Sequence, residues 1–191
     1  MVLNELSFRE MHEGDFDKVL EISSQQLGPD YLKKADLLKY LSTPETHLQV
    51  VLNENQILGY SIIYLVKIKK LTEFGLGSCL QYLNEFGLDN IVQLRKSTAI
   101  DAEYVKKGIG KKFINYTMNL FANQSELILS INWKKGDEIP MKNISSSLNM
   151  KVLCEIENFW KKESLENEFR CPECGNPPCT CKAVIYFKKS D

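Results

Sequence analysis

The order of hydrophobic and polar positions divides the chain into strand-like and helix-like segments. Apolar residues at helical spacing predict a helix over 15–27, ended by Gly28-Pro29, and a second helix over 35–41. Runs rich in β-branched and aromatic residues predict strands. Seven such runs are found, at 6–11, 47–52, 57–66, 91–100, 126–133, 151–160 and 183–188.

The segment 91–133 has a distinctive order within this pattern. A strand over 91–100 leads through Gly108-Ile109-Gly110 into a helix over 111–121, and a buried strand follows at 126–133. A strand, a helix and a second strand in this order predict a crossover connection between two parallel strands. With a further short helix at 141–148, the elements predict a mixed α/β sheet with helices on both faces.

The chain of 191 residues is 43% hydrophobic, which excludes global disorder and allows one domain, 1–191, with a substantial core. Within that domain, residues 67–90 are interpreted as an insertion that covers a binding site. The net charge of −1 disfavours a nucleic-acid partner, which usually requires a basic excess. Neither an apolar run of the roughly 18 residues that span a bilayer nor a secretory leader is visible, so a cytoplasmic location is expected.

The stretch between Ile100 and Lys111 carries the first chemical signal. A helix that starts at two glycines directs several unpaired backbone N–H groups, and the positive end of its dipole, towards one point. Four lysines, at 106, 107, 111 and 112, surround that point, and a pyrophosphate is the ligand that suits it. The alternative is simple packing of strand on helix with solvated lysines. The nicotinamide and Walker patterns are both absent.

This segment resembles the acetyl-CoA motif of the GNAT superfamily of N-acetyltransferases, Gln/Arg-x-x-Gly-x-Gly/Ala. Gly108, Ile109 and Gly110 match its second half, whereas Val105 replaces the usual Gln or Arg and Lys106 replaces a frequent glycine. The order of elements from about residue 3 to residue 188 is also similar to that superfamily. The resemblance therefore implies the GNAT acyl-CoA N-acyltransferase fold.

The same resemblance implies a reaction and a set of binding residues. The activity would be transfer of an acetyl group from acetyl-CoA to an amine acceptor by direct attack. The strand end at 100–102 would pair with the pantetheine arm and the loop at 105–111 would bind the pyrophosphate. The implied cofactor-binding residues are Ile100, Asp101, Ala102, Val105, Lys106, Lys107, Gly108, Ile109, Gly110 and Lys111.

Two residues are candidates for the catalytic groups. The tyrosine that GNAT enzymes often place four residues before a Gly-Phe pair falls on Ser145, because Asn149-Met150 occupies the position of that pair. A serine is a weak acid for a departing thiolate, which leaves open an inactive protein that only binds acyl-CoA. Glu103, next to the loop, is the candidate base, and the alternative for it is a solvated surface acid.

Four of the six cysteines lie within eleven positions, between the last two predicted strands. The pattern C-x2-C-x4-C-x-C is formed by Cys171, Cys174, Cys179 and Cys181, and its opening Cys-Pro-Glu-Cys-Gly resembles a zinc knuckle. Four thiolates predict a structural Zn²⁺ site over 171–181, although their softness also suits iron. Cys79 and Cys154 stand apart and are expected to be unpaired, buried, small apolar residues.

Several alternatives remain open at this level. The cysteine loop is compatible with a zinc-knuckle module that binds protein or nucleic acid. We also consider that the loop shapes the acceptor pocket or a contact between subunits, and a homodimer is left open. The chemical nature of the amine acceptor is not indicated by the sequence.

Overall fold

The computed structural model describes residues 5–190. Its centre is a seven-stranded mixed sheet with the order β1-β2-β3-β4-β5-β7-β6. The strands are β1 Leu6–Glu10, β2 Thr46–Asn53, β3 Gln56–Lys67, β4 Ile91–Ile100, β5 Leu127–Lys134, β6 Lys151–Ile156 and β7 Lys182–Lys189. The predicted class, a mixed sheet with helices on both faces, is confirmed.

Five helices cover the sheet. They are α1 Phe16–Leu27, α2 Lys34–Leu41, α3 Ile109–Leu120, α4 Lys142–Ser147 and α5 Lys161–Asn167. The helices α3 and α4 cover one face, called here the α3 face, where Phe113 and Ile114 pack on the sheet. The helices α1 and α2 pack on the opposite face, called the α1 face, together with the insertion and the cysteine loop.

The predicted crossover is confirmed, because β4 and β5 are parallel and α3 connects them. Their pairing is short, however, and runs only from Val92–Leu127 to Arg95–Ser130. Beyond this point β4 continues to Ile100 and β5 continues to Lys134 without pairing to each other. Each strand keeps its outer neighbour, so the sheet remains continuous at one end and is split at the other.

A β-bulge lies on β4 where the split begins. The register to β3 shifts there, since Arg95 pairs with Ile63 and Ser97 pairs with Ile62, which leaves Lys96 without a partner on β3. A bulge adds one residue to one strand, bends it and redirects its side chains. Arg95 and Lys96 point to opposite faces of the sheet, as neighbouring residues of a strand do: Arg95 contacts α3, and Lys96 contacts α2 and α5.

The insertion at 67–90 folds into two 3₁₀ helices, Ile68–Phe74 and Gly77–Tyr82. Its apolar side chains are buried in the core on the α1 face, so the insertion extends that core. Cys79 is one of these buried residues, and it forms a disulfide with Cys154 on β6. The expectation that both cysteines stand alone is therefore wrong. Their partnership spans 75 residues and arises from tertiary packing, which spacing along the chain does not reveal.

The strand predicted at 151–160 is shorter in the structure, because β6 ends at Ile156 and the helix α5 follows it. Trp160 is buried in the core just before α5. The aromatic character of Trp160 favoured a strand in the sequence analysis. In the structure its ring packs against Trp133 and Phe159, and the residue caps α5 instead. Within residues 5–190, no helix is long and apolar enough to cross a membrane.

Candidate functional site

A cavity of about 730 Å³ passes through the split between β4 and β5. On the α3 face it is lined by the loop that connects β4 to α3 and by α4. On the α1 face it is lined by the connection between α1 and α2 and by the segment before α5. The insertion contributes no lining residue, so the expectation that it covers the binding site is not supported.

The loop between β4 and α3 has the geometry of an anion site. Lys106 and Gly108 both have positive φ angles, 62° and 80°, and Ile109 begins α3. The first hydrogen bond of the helix is donated by the Lys112 amide to the Gly108 carbonyl. Within the described residues, the amides of Lys107 to Lys111 donate no hydrogen bond. Unpaired amides at a helix N-terminus bind anions, and the helix dipole assists them.

The two glycines of this loop differ in the space beside them. A β-carbon added to Gly108 would meet no atom within 4 Å, so the space next to this backbone is open. A β-carbon added to Gly110 would make ordinary contacts, at 3.5 Å from Ile100 and 3.6 Å from Ile144. Gly108 is therefore needed for its left-handed backbone and for close approach of a ligand, whereas Gly110 is spatially less demanding.

Six of the ten predicted cofactor-binding residues line the cavity. They are Ile100, Val105, Lys106, Gly108, Gly110 and Lys111. The other four have different positions. Ile109 is buried in the core beneath α3, and Lys107 lies over the ring of Tyr104 at 4.6 Å from its centre. Asp101 and Ala102 lie in the loop but outside the cavity lining.

Asp101 holds the loop to the body of the protein. Its buried carboxylate is 2.8 Å from Lys18 Nζ on α1, and it accepts a hydrogen bond from the Glu103 amide. Burial alone would raise the pKa of Asp101, but the contacts with Lys18 and the amide outweigh it and hold that pKa below its ordinary value. Asp101 therefore positions the loop through α1 rather than contacting a ligand in the cavity.

The helix α4 presents other residues to the cavity than the sequence indicated. Ser145, the candidate acid, is buried and lies outside the cavity lining, whereas Asn143 and Ser147 line the cavity one helical turn apart. Asn149 occupies the position of the glycine in the Gly-Phe pair of GNAT enzymes. Its φ is 59°, in the left-handed region that glycine and asparagine adopt most readily. Asn143 and Ser147 are four residues apart and therefore share one face of α4. Once the ends of α4 are known, this spacing could have identified them as the pair that faces the cavity. Glu103, the candidate base, is exposed and lies outside the lining.

Arg95 is an unusual residue at the closed end of the split. It is 2% exposed, and its guanidinium donates to the hydroxyl groups of Thr117, Ser61 and Thr98 at 2.7, 3.3 and 3.2 Å. Burial lowers the pKa of Arg95 to about 9. A buried cation that is satisfied by hydroxyl groups alone leaves positive potential at the point where β4 and β5 separate.

On the α1 face, Lys96 lies at the centre of a polar cluster. Its ammonium is 2.9 Å from the Glu163 carboxylate on α5 and 3.2 Å from the Tyr40 hydroxyl on α2. Burial would lower the pKa of Lys96, but Glu163 and the neighbouring tyrosines together outweigh burial and hold that pKa well above its ordinary value. Lys96 is therefore a cation at neutral pH, and it connects the bulge of β4 to α2 and α5.

Aromatic rings form the cavity wall on this face. Trp133 on β5 stacks on Trp160 with ring centres 4.5 Å apart, and Tyr31 lies 6.2 Å from Trp133. All three line the cavity. Phe169 supports them from behind, with its edge against Tyr31 at 5.4 Å. Burial raises the pKa of Tyr31, so its hydroxyl stays protonated.

The four cysteines predicted to bind metal come together in the structure. All four sulfur atoms lie within 4.8 Å of one another. Individual Sγ to Sγ distances are 3.7 Å for Cys171 and Cys181, 3.4 Å for Cys174 and Cys181, and 4.0 Å for Cys174 and Cys179. A tetrahedral Zn²⁺ with Zn–S bonds of about 2.3 Å requires sulfur atoms about 3.8 Å apart, so the cluster has the right size.

Backbone amides point at these sulfur atoms. The amides of Glu173 and Cys174 donate to Cys171 Sγ at 3.4 and 3.2 Å. Burial would raise the pKa of Cys174, but hydrogen bonds from the Thr180 amide and hydroxyl lower that pKa to about 7. Burial raises the pKa of Cys181 to about 11, and the nearby Trp133 indole acts in the opposite direction. The cavity wall and the cysteine cluster are thus in direct proximity.

The cysteine loop also holds the connection between α1 and α2. The Arg170 amide donates to the Pro29 carbonyl at 3.0 Å. Gly28 approaches so closely, with a φ of 106°, that an added β-carbon would overlap the Arg170 carbonyl oxygen. On the other side, the Cys179 amide donates to the Ser164 hydroxyl on α5 at 2.8 Å. The loop therefore joins the two segments that supply Tyr31 and Trp160 to the cavity.

Solved structures with the same architecture extend over nearly the whole chain. Arabidopsis thaliana NAA60 in complex with a bisubstrate analogue superposes with a TM-score of 0.72 at 9% identity, over 97% of this chain and 98% of that one. The Escherichia coli ribosomal-protein-S18-alanine N-acetyltransferase gives 0.66 at 9% identity, over 98% and 95%. The chain has the GNAT fold. An acetyl-CoA-bound GNAT family acetyltransferase from Elizabethkingia anophelis gives 0.64 at 13% identity, over 96% and 97%.

These identities are low, so the likeness concerns the GNAT fold. No protein-family sequence model matches the chain. No curated protein matches it by sequence.

The ion pair that holds the loop gives a prediction about stability. Asp101→Asn should destabilise the fold by about 1–2 kcal/mol at pH 7, because Lys18 and the Glu103 amide lose a charged acceptor. Since the pKa of Asp101 is lowered by folding, its contribution is present above its unfolded pKa and is lost as the pH falls through the folded value. The stability difference between the variant and the wild type should therefore begin to shrink below about pH 4, near the unfolded pKa, and should vanish only below the lowered pKa of folded Asp101.

Urea denaturation at a series of pH values measures this difference. Asp89→Asn is the matched control, because Asp89 also pairs with lysines but is exposed, and it should change stability little. An Asp101→Asn protein as stable as the wild type at pH 7 would show that the ion pair does not anchor the loop.

Proposed function

We propose that the protein is an N-acetyltransferase that transfers the acetyl group of acetyl-CoA to an amine acceptor. The observation that carries this proposal is the split between β4 and β5, which ends at a loop of unpaired amides. Neighbours with the same fold have been solved with acetyl-CoA and with a bisubstrate analogue. In this chain the same split holds a cavity of about 730 Å³, which is of the size usual for small-molecule sites.

The residues of the loop fit the diphosphate of CoA. The amides of Lys107 to Lys111 would donate to its oxygens, while Lys106 and Lys111 would balance its charge from the cavity wall. Beyond Arg95, the backbone groups of β4 that face away from β3 have no strand partner. They are free to pair with the amide groups of the pantetheine arm, as an added strand would. Asp101 and Ile109 support this loop from behind.

The reaction joins the acceptor nitrogen to the carbonyl carbon of the thioester and breaks the bond between that carbon and sulfur. An unpaired N–H of β4 near the bulge is placed to stabilise the negative charge on the carbonyl oxygen. On α4, Asn143 lines the cavity and its side-chain amide would donate to the departing thiolate, whereas the Ser147 hydroxyl lines the cavity but donates to the Ile144 carbonyl at 2.8 Å. Ser145 and Glu103 stay predictions as catalytic groups, and the structure places neither in the cavity wall.

The proton of the acceptor ammonium has no evident receiver on the protein. Among the described residues that line the cavity there is no aspartate, glutamate or histidine. Solvent water would then take the proton, so that the enzyme uses the fraction of acceptor that is already neutral. The lack of a carboxylate or imidazole base in the described lining favours, as a second candidate, a protein that binds acyl-CoA without turnover. Thioester consumption with a panel of amines separates the two.

The proton argument gives a prediction about pH. For any amine that is acetylated, kcat/KM should rise about tenfold per pH unit up to the pKa of that amine. Two acceptors with different pKa values should give profiles displaced by the difference in their pKa. The measurement is the rate of free thiol release at low acceptor concentration. A common inflection for both acceptors, independent of their pKa values, would instead indicate a base on the protein.

The loop gives a prediction about CoA binding. Gly108→Ala should weaken CoA binding at least tenfold, because the new methyl group enters the open space beside the amides and strains a backbone with φ of 80°. Isothermal titration with CoA measures the change. Gly136→Ala is the control, since Gly136 also has a positive φ of 56° and open space but lies outside the cavity lining. Equal CoA affinity in both variants would contradict a diphosphate site at this loop.

We also propose that Cys171, Cys174, Cys179 and Cys181 hold a structural Zn²⁺. Support comes from the spacing of the sulfur atoms and from the amides directed at Cys171. Two of the four residues, Cys171 and Cys179, are buried in the main core, which favours a structural role over an exposed interaction module. Four thiolates would fill the coordination of zinc, which leaves no open position for catalysis.

Metal content tests this site. The purified protein should contain about one zinc per chain, and Cys171→Ser with Cys174→Ser should remove it and lower the melting temperature by about 10 °C or more. Cys154→Ala is the control, which should retain the zinc because Cys154 is outside the cluster. Elemental analysis and thermal unfolding provide both readouts. Metal-free wild-type protein that melts at the same temperature as zinc-loaded protein would contradict a structural zinc.

A further inference from the structure

The two ends of the cavity differ in chemistry. The end on the α3 face is lined by the loop of free amides and by Lys106 and Lys111, which suits a phosphate-bearing ligand. The end on the α1 face is lined by the rings of Tyr31, Trp133 and Trp160. If CoA occupies the first end, which is the proposed function on which this inference rests, the second end is left for the amine acceptor.

The acceptor side is apolar, flat and held in place. Trp133 and Trp160 stack almost in parallel, at an interplanar angle of 16°, and Tyr31 faces Trp133 at 42°. Tyr31 and Trp160 are only 6% and 4% exposed, so packing fixes their rings. Rigid aromatic side chains recognise flat apolar groups at a small entropic cost.

The charges on the cavity wall restrict the acceptor further. The basic residues of the lining are Arg95, Lys96, Lys106, Lys111 and Lys135, and the described lining contains no acidic residue. Two of the lining lysines are paired with carboxylates that lie outside the lining, Lys96 with Glu163 at 2.9 Å and Lys135 with Glu173 at 3.4 Å. A second positive charge on the acceptor would therefore find no free carboxylate to pair with at this end of the cavity.

The geometry points to an acceptor that is a monoamine with an aromatic or similarly flat apolar body, and with no second positive charge. The flat body lies against Tyr31, Trp133 and Trp160, and the amino group extends past the bulge at Lys96 towards the split. There the nitrogen forms its bond to the acetyl carbon, the carbon–sulfur bond breaks, the thiolate leaves with CoA, and water takes the proton of the amine.

Comparison of three probe amines on the wild-type protein tests this class. The probes are 2-phenylethylamine, n-butylamine and spermidine, each with saturating acetyl-CoA. After each kcat/KM is divided by the neutral fraction of that amine at the assay pH, we expect the value for 2-phenylethylamine to exceed that for n-butylamine by at least tenfold, because the remaining difference between the amines is the flat ring. Spermidine should be slower than n-butylamine. Equal rates for the first two probes, or preference for spermidine, would overturn the assignment.

Tryptophan fluorescence locates the binding. The chain has two tryptophans, and both belong to the aromatic wall. Addition of 2-phenylethylamine to the protein with bound CoA should therefore quench emission saturably, whereas n-butylamine should not. Trp160→Leu should raise KM for 2-phenylethylamine about tenfold and leave KM for n-butylamine unchanged. Tyr82→Leu, an exposed aromatic on the insertion that lies outside the lining, is the matched control.

The design separates failure of this inference from failure of the proposed function. A thermal shift with CoA and without any amine measures binding at the end of the cavity lined by the loop after β4, and it is independent of the aromatic end. Absent CoA stabilisation would overturn the transferase proposal itself. CoA stabilisation combined with equal or reversed preference among the amines would overturn only the acceptor class. A Trp160→Leu protein that does not fold leaves the wild-type comparison and the fluorescence titration as the deciding measurements.

Discussion

The structure depends on one constraint, which is that two parallel strands stop pairing halfway along their length. The β4 and β5 strands exchange hydrogen bonds only up to Arg95 and Ser130. Each backbone group left without a partner in a buried place costs about 1–3 kcal/mol, so the fold must hold the strands apart. The bulge at Lys96 and the packing of Trp133 achieve this. The free groups of β4 then become the inner surface of the cavity.

The cysteine cluster belongs to this arrangement. It lies on the α1 face, beside Trp133, and it connects the segment after Gly28 to the helix that carries Glu163. Because Glu163 on α5 pairs with Lys96 at the bulge, direct contacts connect the cysteine cluster through α5 to the split. A metal at the cluster would stiffen the aromatic end of the cavity, while the loop after β4 is anchored separately, through Asp101 and Lys18. The two ends of the cavity thus rest on different supports.

Local patterns predicted most of the elements, because each of them depends on residues close in sequence. The glycines at 108 and 110, the crossover from β4 to β5 and the four cysteines are all short-range signals, and the structure places them as expected. The prediction of Ser145 rested on counting back from Asn149-Met150, and counting does not include the rotation of α4 about its axis. That rotation brings Asn143 and Ser147 to the cavity.

The amino-acid sequence by itself determined the type and order of the elements, the loop of free amides and the presence of a four-cysteine cluster, because periodicity and spacing encode them directly. Only the tertiary structure decided that the sheet splits after Arg95, that Cys79 meets Cys154, and that Tyr31, Trp133 and Trp160 form one wall. These features join residues that are far apart along the chain. Their proximity follows from how the elements pack, and no local pattern records it.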